Sequence, residues 1–183
     1  MKIDAVSFTL ADGRECTVRS AAPRDAAAMC RHLRITAAET EFILSSAREA
    51  GDSVTEQSRL LRRRSDMRGA VTLCAFCGGV LAGIATVSPY NSQYRTAHRG
   101  TMSIALKKAW WGKGIAGILM RQVIDFARSC GYRQLELGVD EQNERAIGLY
   151  EHFGFVRCGR IDGALRHDDG SFSAQILMLL PLQ

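Results

Sequence analysis

A short glycine-rich turn between a strand and a long amphipathic helix constrains this chain more than any other feature. The turn reads Trp111-Gly112-Lys113-Gly114-Ile115-Ala116-Gly117 and follows a β-rich run over Gly100–Leu106. The helix after it carries its apolar residues on one stripe and stops at Gly131, and a second β-rich run covers Gln134–Val139. This order of strand, helix and strand predicts a parallel crossover in a mixed α/β chain.

The turn has the chemistry of an anion site. The first N–H groups of a helix have no partners inside it, the helix dipole is positive there, and glycine lets a ligand approach the backbone. Lys107, Lys108 and Lys113 add positive charge. A Walker phosphate loop is excluded because Gly114 follows Lys113 where Ser or Thr is required. The G-x-G-x-x-G spelling of dinucleotide sites is present, but no acidic residue ends a second strand about 20 residues later in the way a ribose ligand requires. Glycines that serve only tight packing remain an alternative.

The rest of the chain predicts antiparallel strands before the crossover and alternating elements after it. Asp-Gly and Gly-Gly pairs mark two hairpins, Pro23 marks the start of a helix through about Leu33, and Asn143 is a good helix N-cap. Residues 34–54 show no clear period. The other predicted segments are the strands Val6–Leu10, Arg14–Arg19, Val71–Phe76 and Val80–Val87, the polar helix Glu56–Arg64, a strand from Phe155 and a last strand Ala174–Leu180.

Composition excludes several classes of protein. With 183 residues, 46% of them hydrophobic and 23% charged, the chain fits one globular domain over residues 1–183 rather than a disordered or fibrous protein. The net charge of +5 suits an anionic ligand but does not by itself indicate nucleic acid. The N-terminus lacks the apolar stretch of a signal peptide, and no apolar run approaches a membrane span. We therefore expect a cytoplasmic protein without membrane contact.

Six cysteines are scattered without a regular framework, which predicts reduced thiols. Cys74 and Cys77 have C-x-x-C spacing, but residues three apart on a strand point to opposite faces, and no second ligand pair stands at a zinc-site spacing. We therefore expect buried, inert thiols here, with no disulfide between the two and no metal site.

Two motifs together resemble those of the GNAT superfamily of acyl-CoA-dependent N-acetyltransferases. The glycine-rich turn is similar to its pyrophosphate-binding motif, although Trp111 stands where that motif often has Arg or Gln. The segment Asn143-Glu144-Arg145-Ala146-Ile147-Gly148-Leu149-Tyr150-Glu151-His152-Phe153-Gly154-Phe155 resembles its second signature. The resemblance covers a core of about residues 14–180. This core overlaps the end of an N-terminal hairpin in residues 1–19. It implies an α/β (α+β) fold: a mixed, mostly antiparallel central sheet with a splayed parallel strand pair and helices on both faces.

The resemblance also implies a site for acetyl-CoA. The pantetheine arm would lie in the gap between the two parallel strands, and a main-chain N–H at about Leu106 would polarise the thioester carbonyl. Asn143 would hold the cofactor from the other side. The cofactor-binding residues implied in this way are Ile104, Ala105, Leu106, Trp111, Gly112, Lys113, Gly114, Ile115, Ala116, Gly117, Asn143, Ala146 and Tyr150.

Tyr150 is the implied catalytic proton donor. Direct attack of an amine on the thioester must expel a thiolate, and a phenol with a pKa of about 10 is protonated at neutral pH and able to donate to that sulfur. Spacing alone favours a half-buried core aromatic instead. The general base stays open because Thr101 stands where many relatives carry Glu. The substrate-side candidates are Glu39, Glu41 and His98, each of which also fits an ordinary surface residue.

The implied function is transfer of an acetyl group from acetyl-CoA to a primary amine by direct attack. The acceptor could be a small amine or amino acid, an aminoglycoside-like compound or a protein N-terminus. A non-catalytic acyl-CoA sensor is one alternative. A basic RNA-associated or ribosome-associated module built on Arg59 and Arg62–Arg64 is another, although these residues lack the interleaved aromatics of single-strand binders. Nucleic acid is therefore not the expected partner, and an outward-facing last strand could support a homodimer.

Overall fold

One mixed β-sheet organises the chain. The computed structural model describes residues 2–46, 49–51 and 53–182. Within these residues the strands are β1 (Val6–Thr9), β2 (Glu15–Ser20), β3 (Val71–Cys77), β4 (Val80–Pro89), β5 (Arg99–Leu106), β6 (Gln134–Asp140), β7 (Val156–Arg166) and β8 (Phe172–Pro181). The helices are α1 (Ala26–Glu39), α2 (Val54–Asp66), α3 (Ile115–Ser129) and α4 (Glu144–His152). The strand order is β1-β2-β3-β4-β5-β6-β8-β7, and β5 with β6 is the parallel pair in this described sheet.

The two faces of the sheet are covered by different helices. α3 packs on one face, where Leu73 and Val87 share a hydrophobic cluster with its buried Leu119. α1 and α2 pack on the other face, where Cys74 and Ile84 belong to a second cluster. This architecture confirms the mixed, mostly antiparallel sheet with helices on both faces. No helix of the described residues combines the length and apolar character needed to cross a bilayer.

The helix α1 is longer than the sequence pattern predicts. It runs past the predicted end at Leu33 to Glu39. The added length buries Thr36, whose hydroxyl donates to the carbonyl oxygen of His32 at 3.0 Å. The helical period is missed here because the buried positions carry polar residues rather than apolar ones.

The helix α2 also begins earlier than predicted. Its first residue is Val54 rather than Glu56, since the Ser53 hydroxyl accepts a hydrogen bond from the N–H of Glu56 and caps the helix. The strands and the remaining helices agree with the prediction to within a few residues, and the predicted cap at Asn143 is confirmed by its bond from the N–H of Ala146.

The parallel strands β5 and β6 stay together over only a short length. They pair from Arg99 with Gln134 to Thr101 with Glu136, and the register ends there. Arg99 closes this end with two hydrogen bonds to the Glu136 carboxylate, at 2.5 and 2.6 Å. Beyond it β6 continues beside β8 while β5 continues beside β4, so the sheet opens between β5 and β6. The expected splay is confirmed.

The cysteine prediction is wrong at two positions. Cys16 on β2 and Cys77 on β3 are direct cross-strand partners and form a disulfide. The register between β2 and β3 brings these two cysteines together, and their spacing along the chain does not indicate the pairing. Cys74 keeps its thiol, is buried on the α1 and α2 face, and has its pKa raised to about 12 by that burial.

The last strand is not at the edge of the sheet, which corrects the surface expected for a homodimer. β8 lies between β6 and β7, so β7 forms the edge. Nearly every residue of β7 is exposed. A homodimer stays a prediction, with β7 rather than β8 as the strand available to a second copy.

A histidine of α1 is buried against the sheet. His32 has 0% exposure, and backbone groups of Leu81 and Ala105 near its imidazole favour the protonated form less than burial disfavours it. Burial lowers the pKa of its imidazole to about 4, and nearby Lys107 acts in the same direction. The folded protein therefore holds His32 neutral where an unfolded chain, with a pKa of about 6.5, would take up a proton.

This burial predicts a loss of stability in acid. Because the folded-state pKa is below the unfolded one, the free energy of unfolding falls as pH drops from about 6.5, by roughly 3 kcal/mol at pH 4 from this group alone. Urea unfolding of wild type and His32→Leu at pH 7 and pH 4 measures the effect. From pH 7 to pH 4, we expect the free energy of unfolding of His32→Leu to fall by roughly 3 kcal/mol less than that of wild type. An identical acid loss in both proteins would contradict the assignment, and His98→Gln, at an exposed position, is the matched control.

Candidate functional site

The opening between β5 and β6 leads into a cavity of about 870 Å³. On one side it is lined by the glycine-rich turn and by α4, and on the other by α1, α2, Thr40 and residues 42–45. The β5 and β6 residues on its walls are Met102, Ser103, Ile104, Ala105, Leu106, Leu137, Gly138 and Val139. One continuous space therefore connects the two faces of the sheet through the splay.

The backbone of β5 presents hydrogen-bonding groups to this opening. The carbonyl of Arg99 and the N–H of Lys107 bond to β4. Because the backbone groups of successive residues alternate between the two sides of a strand, those of Met102, Ile104 and Leu106 face away from β4, toward the opening. The indole N–H of Trp111 donates to the carbonyl oxygen of Leu106 at 3.0 Å, which satisfies that acceptor.

The glycine-rich turn has the shape of an anion cradle. Gly112 and Gly114 have φ of +72° and +80°, and Gly114 is the N-cap of α3. A Cβ on either would meet no atom within 4 Å. The alternative that these glycines serve only tight packing is therefore wrong. Glycine is needed at both positions because their φ angles are positive. The N–H groups in the first turn of α3 lack intrahelical partners and line the cavity at Ile115, Ala116 and Gly117.

The positive charge at the cradle comes from a different residue than expected. The Lys113 ammonium lies 3.6 Å from the Asp12 carboxylate in the β1–β2 turn, and Lys113 is not among the residues that line the cavity. Arg145, in the first turn of α4, lines it instead, with its guanidinium 4.7 Å from the centre of the Trp111 ring. The sequence contained one signal for Arg145, its place inside the second motif.

The helix α4 brings the second motif to the same cavity. Asn143, Ala146 and Tyr150 all line it. Tyr150 is 6% exposed, and its ring centre lies 5.7 Å from that of Phe155. Burial raises the pKa of the Tyr150 phenol to about 12, so the hydroxyl keeps its proton at neutral pH. Tyr150 is thus both a core aromatic and a cavity residue.

The three substrate-side candidates lie outside the cavity lining. A Glu39 carboxylate oxygen accepts from the N–H of Lys108 at 2.7 Å. Glu41 lies 3.2 Å from the imidazole of His167, in the hairpin between β7 and β8. His98 is exposed and precedes β5 at the closed end of the splay. The structure brings none of these three to the opening between β5 and β6.

One arginine of the polar helix turns inward. Arg59, Arg62 and Arg63 are exposed, but Arg64 is half-buried, donates to the hydroxyl of Ser88, and lines the cavity. From the sequence alone, the four arginines are grouped together on one polar helix, and Arg64 is not separated from the others. Helical period could have separated Arg64, because it lies one turn after Leu61, which is buried, on the same side of α2.

Comparison with known proteins identifies the family. Residues 37–155 match the acetyltransferase (GNAT) family, so the chain belongs to it. An N-alpha-acetyltransferase RimI of Mycobacterium tuberculosis is 34% identical over 51% of this chain and 63% of its own length. An L-amino acid N-acyltransferase of Escherichia coli is 31% identical over 43% of this chain and 45% of its own. The chain spans about half the length of the curated relatives it matches.

Solved structures of the same fold cover nearly the whole chain. A GNAT-family acetyltransferase from Streptococcus pneumoniae superposes with a TM-score of 0.86 and 27% identity over 92% of this chain and 99% of that one. A GNAT-superfamily phosphinothricin acetyltransferase from Sinorhizobium meliloti, solved in complex with acetyl-CoA, has a TM-score of 0.81 and 20% identity over 91% and 88% of the two chains. At 20% identity, the similarity to the Sinorhizobium meliloti structure shows a shared fold only.

The charges at the cradle predict unequal effects of two substitutions on binding of coenzyme A. Arg145→Gln removes a cavity-lining guanidinium and should weaken binding about 5- to 20-fold, since charge-assisted bonds to phosphate are strong. Lys113→Gln removes an ammonium already beside Asp12 and should weaken it less than twofold. Calorimetric titration at low and high salt measures both, and the Arg145 effect should shrink with salt. Equal losses in the two variants would show that Lys113 turns toward the ligand.

Proposed function

We propose that this chain transfers an acetyl group from acetyl-CoA to a primary amine by direct nucleophilic attack, as a single domain. The observation that supports it best is the continuous cavity: an anion cradle at one end, the open backbone edge of β5 in the middle, and a pocket under α1 and α2 at the other end. A two-substrate transfer needs such a through-passage, so that cofactor and acceptor meet from opposite faces.

The cofactor would be held mainly by backbone. Its diphosphate fits the N–H groups at the start of α3, its pantetheine amides fit the outward groups of Ile104 and Leu106, and Arg145 supplies the side-chain charge. The cradle works through main-chain atoms, which is why Trp111 can replace the Arg or Gln of the family motif. Trp111 also fixes the Leu106 carbonyl, leaving the N–H of that residue for a ligand.

The reaction would proceed through a tetrahedral intermediate. The neutral amine attacks the thioester carbon, and an N–H of β5 near Leu106 stabilises the oxygen that takes up the electron pair. The C–S bond then breaks, and the Tyr150 hydroxyl gives its proton to the departing sulfur, so CoA leaves as the thiol. The phenolate regains a proton from the nitrogen of the product, directly or through water. Atoms and charges balance with no other reagent.

The amine would lose its first proton to water. The described residues that line the cavity include no Asp, Glu or His, so no side chain there is suited to act as a base. Thr101 fits this arrangement because its hydroxyl donates to the carbonyl of Ser88 at 3.4 Å and has no basic function. We therefore infer that only the unprotonated fraction of the acceptor amine reacts, and that proton transfer to water replenishes this fraction.

The RNA-associated alternative loses its main support. Arg64, one of the four basic residues on which it stood, faces the cavity and not the solvent. Three exposed arginines on one helix are an ordinary solvated face. The sensor alternative keeps the cradle without the chemistry, and the following experiment separates it from an enzyme.

Release of the CoA thiol from acetyl-CoA in the presence of primary amines tests the proposed function. Wild-type protein should release thiol only when an amine is present. Tyr150→Phe should lower kcat about 10- to 100-fold, because the sulfur loses its proton donor, while the calorimetric affinity for CoA changes less than threefold. Wild-type binding of CoA without amine-dependent release would indicate a sensor. Unchanged kcat in Tyr150→Phe would remove Tyr150 from the reaction.

The pH dependence should follow the acceptor and not the protein. With a neutral amine as nucleophile and no side-chain base, kcat/KM should rise about tenfold per pH unit below the pKa of the amine. The raised pKa of Tyr150, about 12, keeps the acid protonated, so no decline should appear up to about pH 9.5. Initial rates with two amines of different pKa check this. A plateau at the same neutral pH for both amines would reveal a protein base.

A further inference from the structure

A row of hydroxyl groups crosses three strands on the α1 and α2 side of the sheet. Thr72 on β3 is the register partner of Thr86 on β4, which is the partner of Ser103 on β5. The hydroxyls of Thr86 and Ser103 are 2.8 Å apart. All three residues line the cavity. This row is the polar floor of a pocket whose walls are mostly apolar.

One member of the row has an unsatisfied hydroxyl. Thr72 is 6% exposed, and its oxygen has no hydrogen-bond partner among the described residues. A buried hydroxyl without a partner costs free energy, of the order of a lost hydrogen bond. That oxygen is closed to solvent, so it lies behind the cavity wall, and the hydroxyls of Thr86 and Ser103 are the members of the row that face the cavity.

Arg64 lies above this row without an acidic partner. Its guanidinium donates to the Ser88 hydroxyl, and it forms no ion pair with any Asp or Glu of the described part of the chain. Burial lowers the pKa of this guanidinium, which shows the cost of keeping a cation there. A half-buried arginine needs an anion to offset the loss of hydration, and its planar fork suits a carboxylate.

The hydroxyl row ends where the reaction would take place. Ser103 lies between Met102 and Ile104, whose backbone groups face the opening. Ser88, the partner of Arg64, lies on the neighbouring strand β4, two residues from Thr86, which is the register partner of Ser103. A small acceptor could therefore hold its nitrogen at β5 and an acidic group under Arg64 at the same time.

We propose that Arg64 binds a carboxylate of the acceptor, so that the substrates of this chain are amino acids rather than simple amines. Met29, Leu33, Phe42 and Leu60 line the same part of the cavity and suit an apolar side chain. A cationic aminoglycoside would be repelled by Arg64, and a protein N-terminus has no adjacent carboxylate. The inference rests on the proposed function, which it makes more specific.

Matched acceptors and variants test this directly. L-Leucine, L-methionine and L-phenylalanine are compared with their amides in the thiol-release assay, at a fixed concentration of neutral amine. Wild type should prefer the acids by at least about tenfold in kcat/KM. Arg64→Gln should lower kcat/KM for the acids about 10- to 100-fold and for the amides less than threefold, with Arg64→Lys in between.

Two controls separate binding from structure. Arg62→Gln changes an exposed arginine on the same helix and should behave as wild type with every acceptor. The thermal midpoint and the CoA affinity of Arg64→Gln should match those of wild type. Equal rates with acids and amides, or an equal loss for both in Arg64→Gln, would overturn the carboxylate site while leaving the acetyltransferase proposal intact.

A calorimetric arm keeps the two proposals distinguishable. If no amine, including short peptides, releases thiol, the proposed function fails, and titration of L-leucine into CoA-saturated protein then decides the carboxylate site. Heat of binding in wild type that is lost in Arg64→Gln supports it. No heat in wild type, or the same heat in the variant, overturns it.

Discussion

The separation of β5 from β6 is the constraint on which the rest of this structure depends. Two parallel strands that stayed paired would satisfy each other's backbone groups and leave no passage through the sheet. Here pairing stops after Thr101 and Glu136, and the bonds from Arg99 to Glu136 hold the strands together at that end. The unpaired edge of β5 is then left available to a ligand. A splay closed at one end gives a rigid passage, since β4 and β8 still support the two outer edges.

The dependence on backbone groups also explains at which positions of the candidate site the type of side chain is important. Gly112 and Gly114 are required by their positive φ, and the N–H groups after them act whatever side chains they carry. Ile104 and Leu106 contribute backbone, so their side chains need only pack. In contrast Trp111, Arg145 and Tyr150 contribute specific atoms. Much of the proposed cofactor half is thus encoded in chain geometry, with Trp111, Arg145 and Tyr150 as the positions where the side chain itself matters.

Local signals were enough to predict the crossover, both hairpins, the cap at Asn143 and the cradle, because turn chemistry and helix periodicity act over a few residues. What the sequence did not reveal depends on distant partners. The Cys16–Cys77 disulfide follows from register between β2 and β3. The contact between Lys113 and Asp12 joins a loop to the N-terminal hairpin. For Arg64 the helical period from buried Leu61 indicates an inward side, but that this side meets a cavity is set by how α2 packs on β3.

The absence of a base in the described lining becomes reasonable once the charges of the cavity are considered together. Arg64 stands near the acceptor end and Arg145 at the cradle, with no carboxylate among the lining residues that the structure describes. In the proposed complex the charge of Arg64 is offset by the acceptor carboxylate and that of Arg145 by the diphosphate. A glutamate in place of Thr101 would accept the proton but would also stabilise the unreactive ammonium form. With no carboxylate in the described lining, no side chain there stabilises the ammonium ion, so deprotonation can be left to water and need not be assigned to any one side chain.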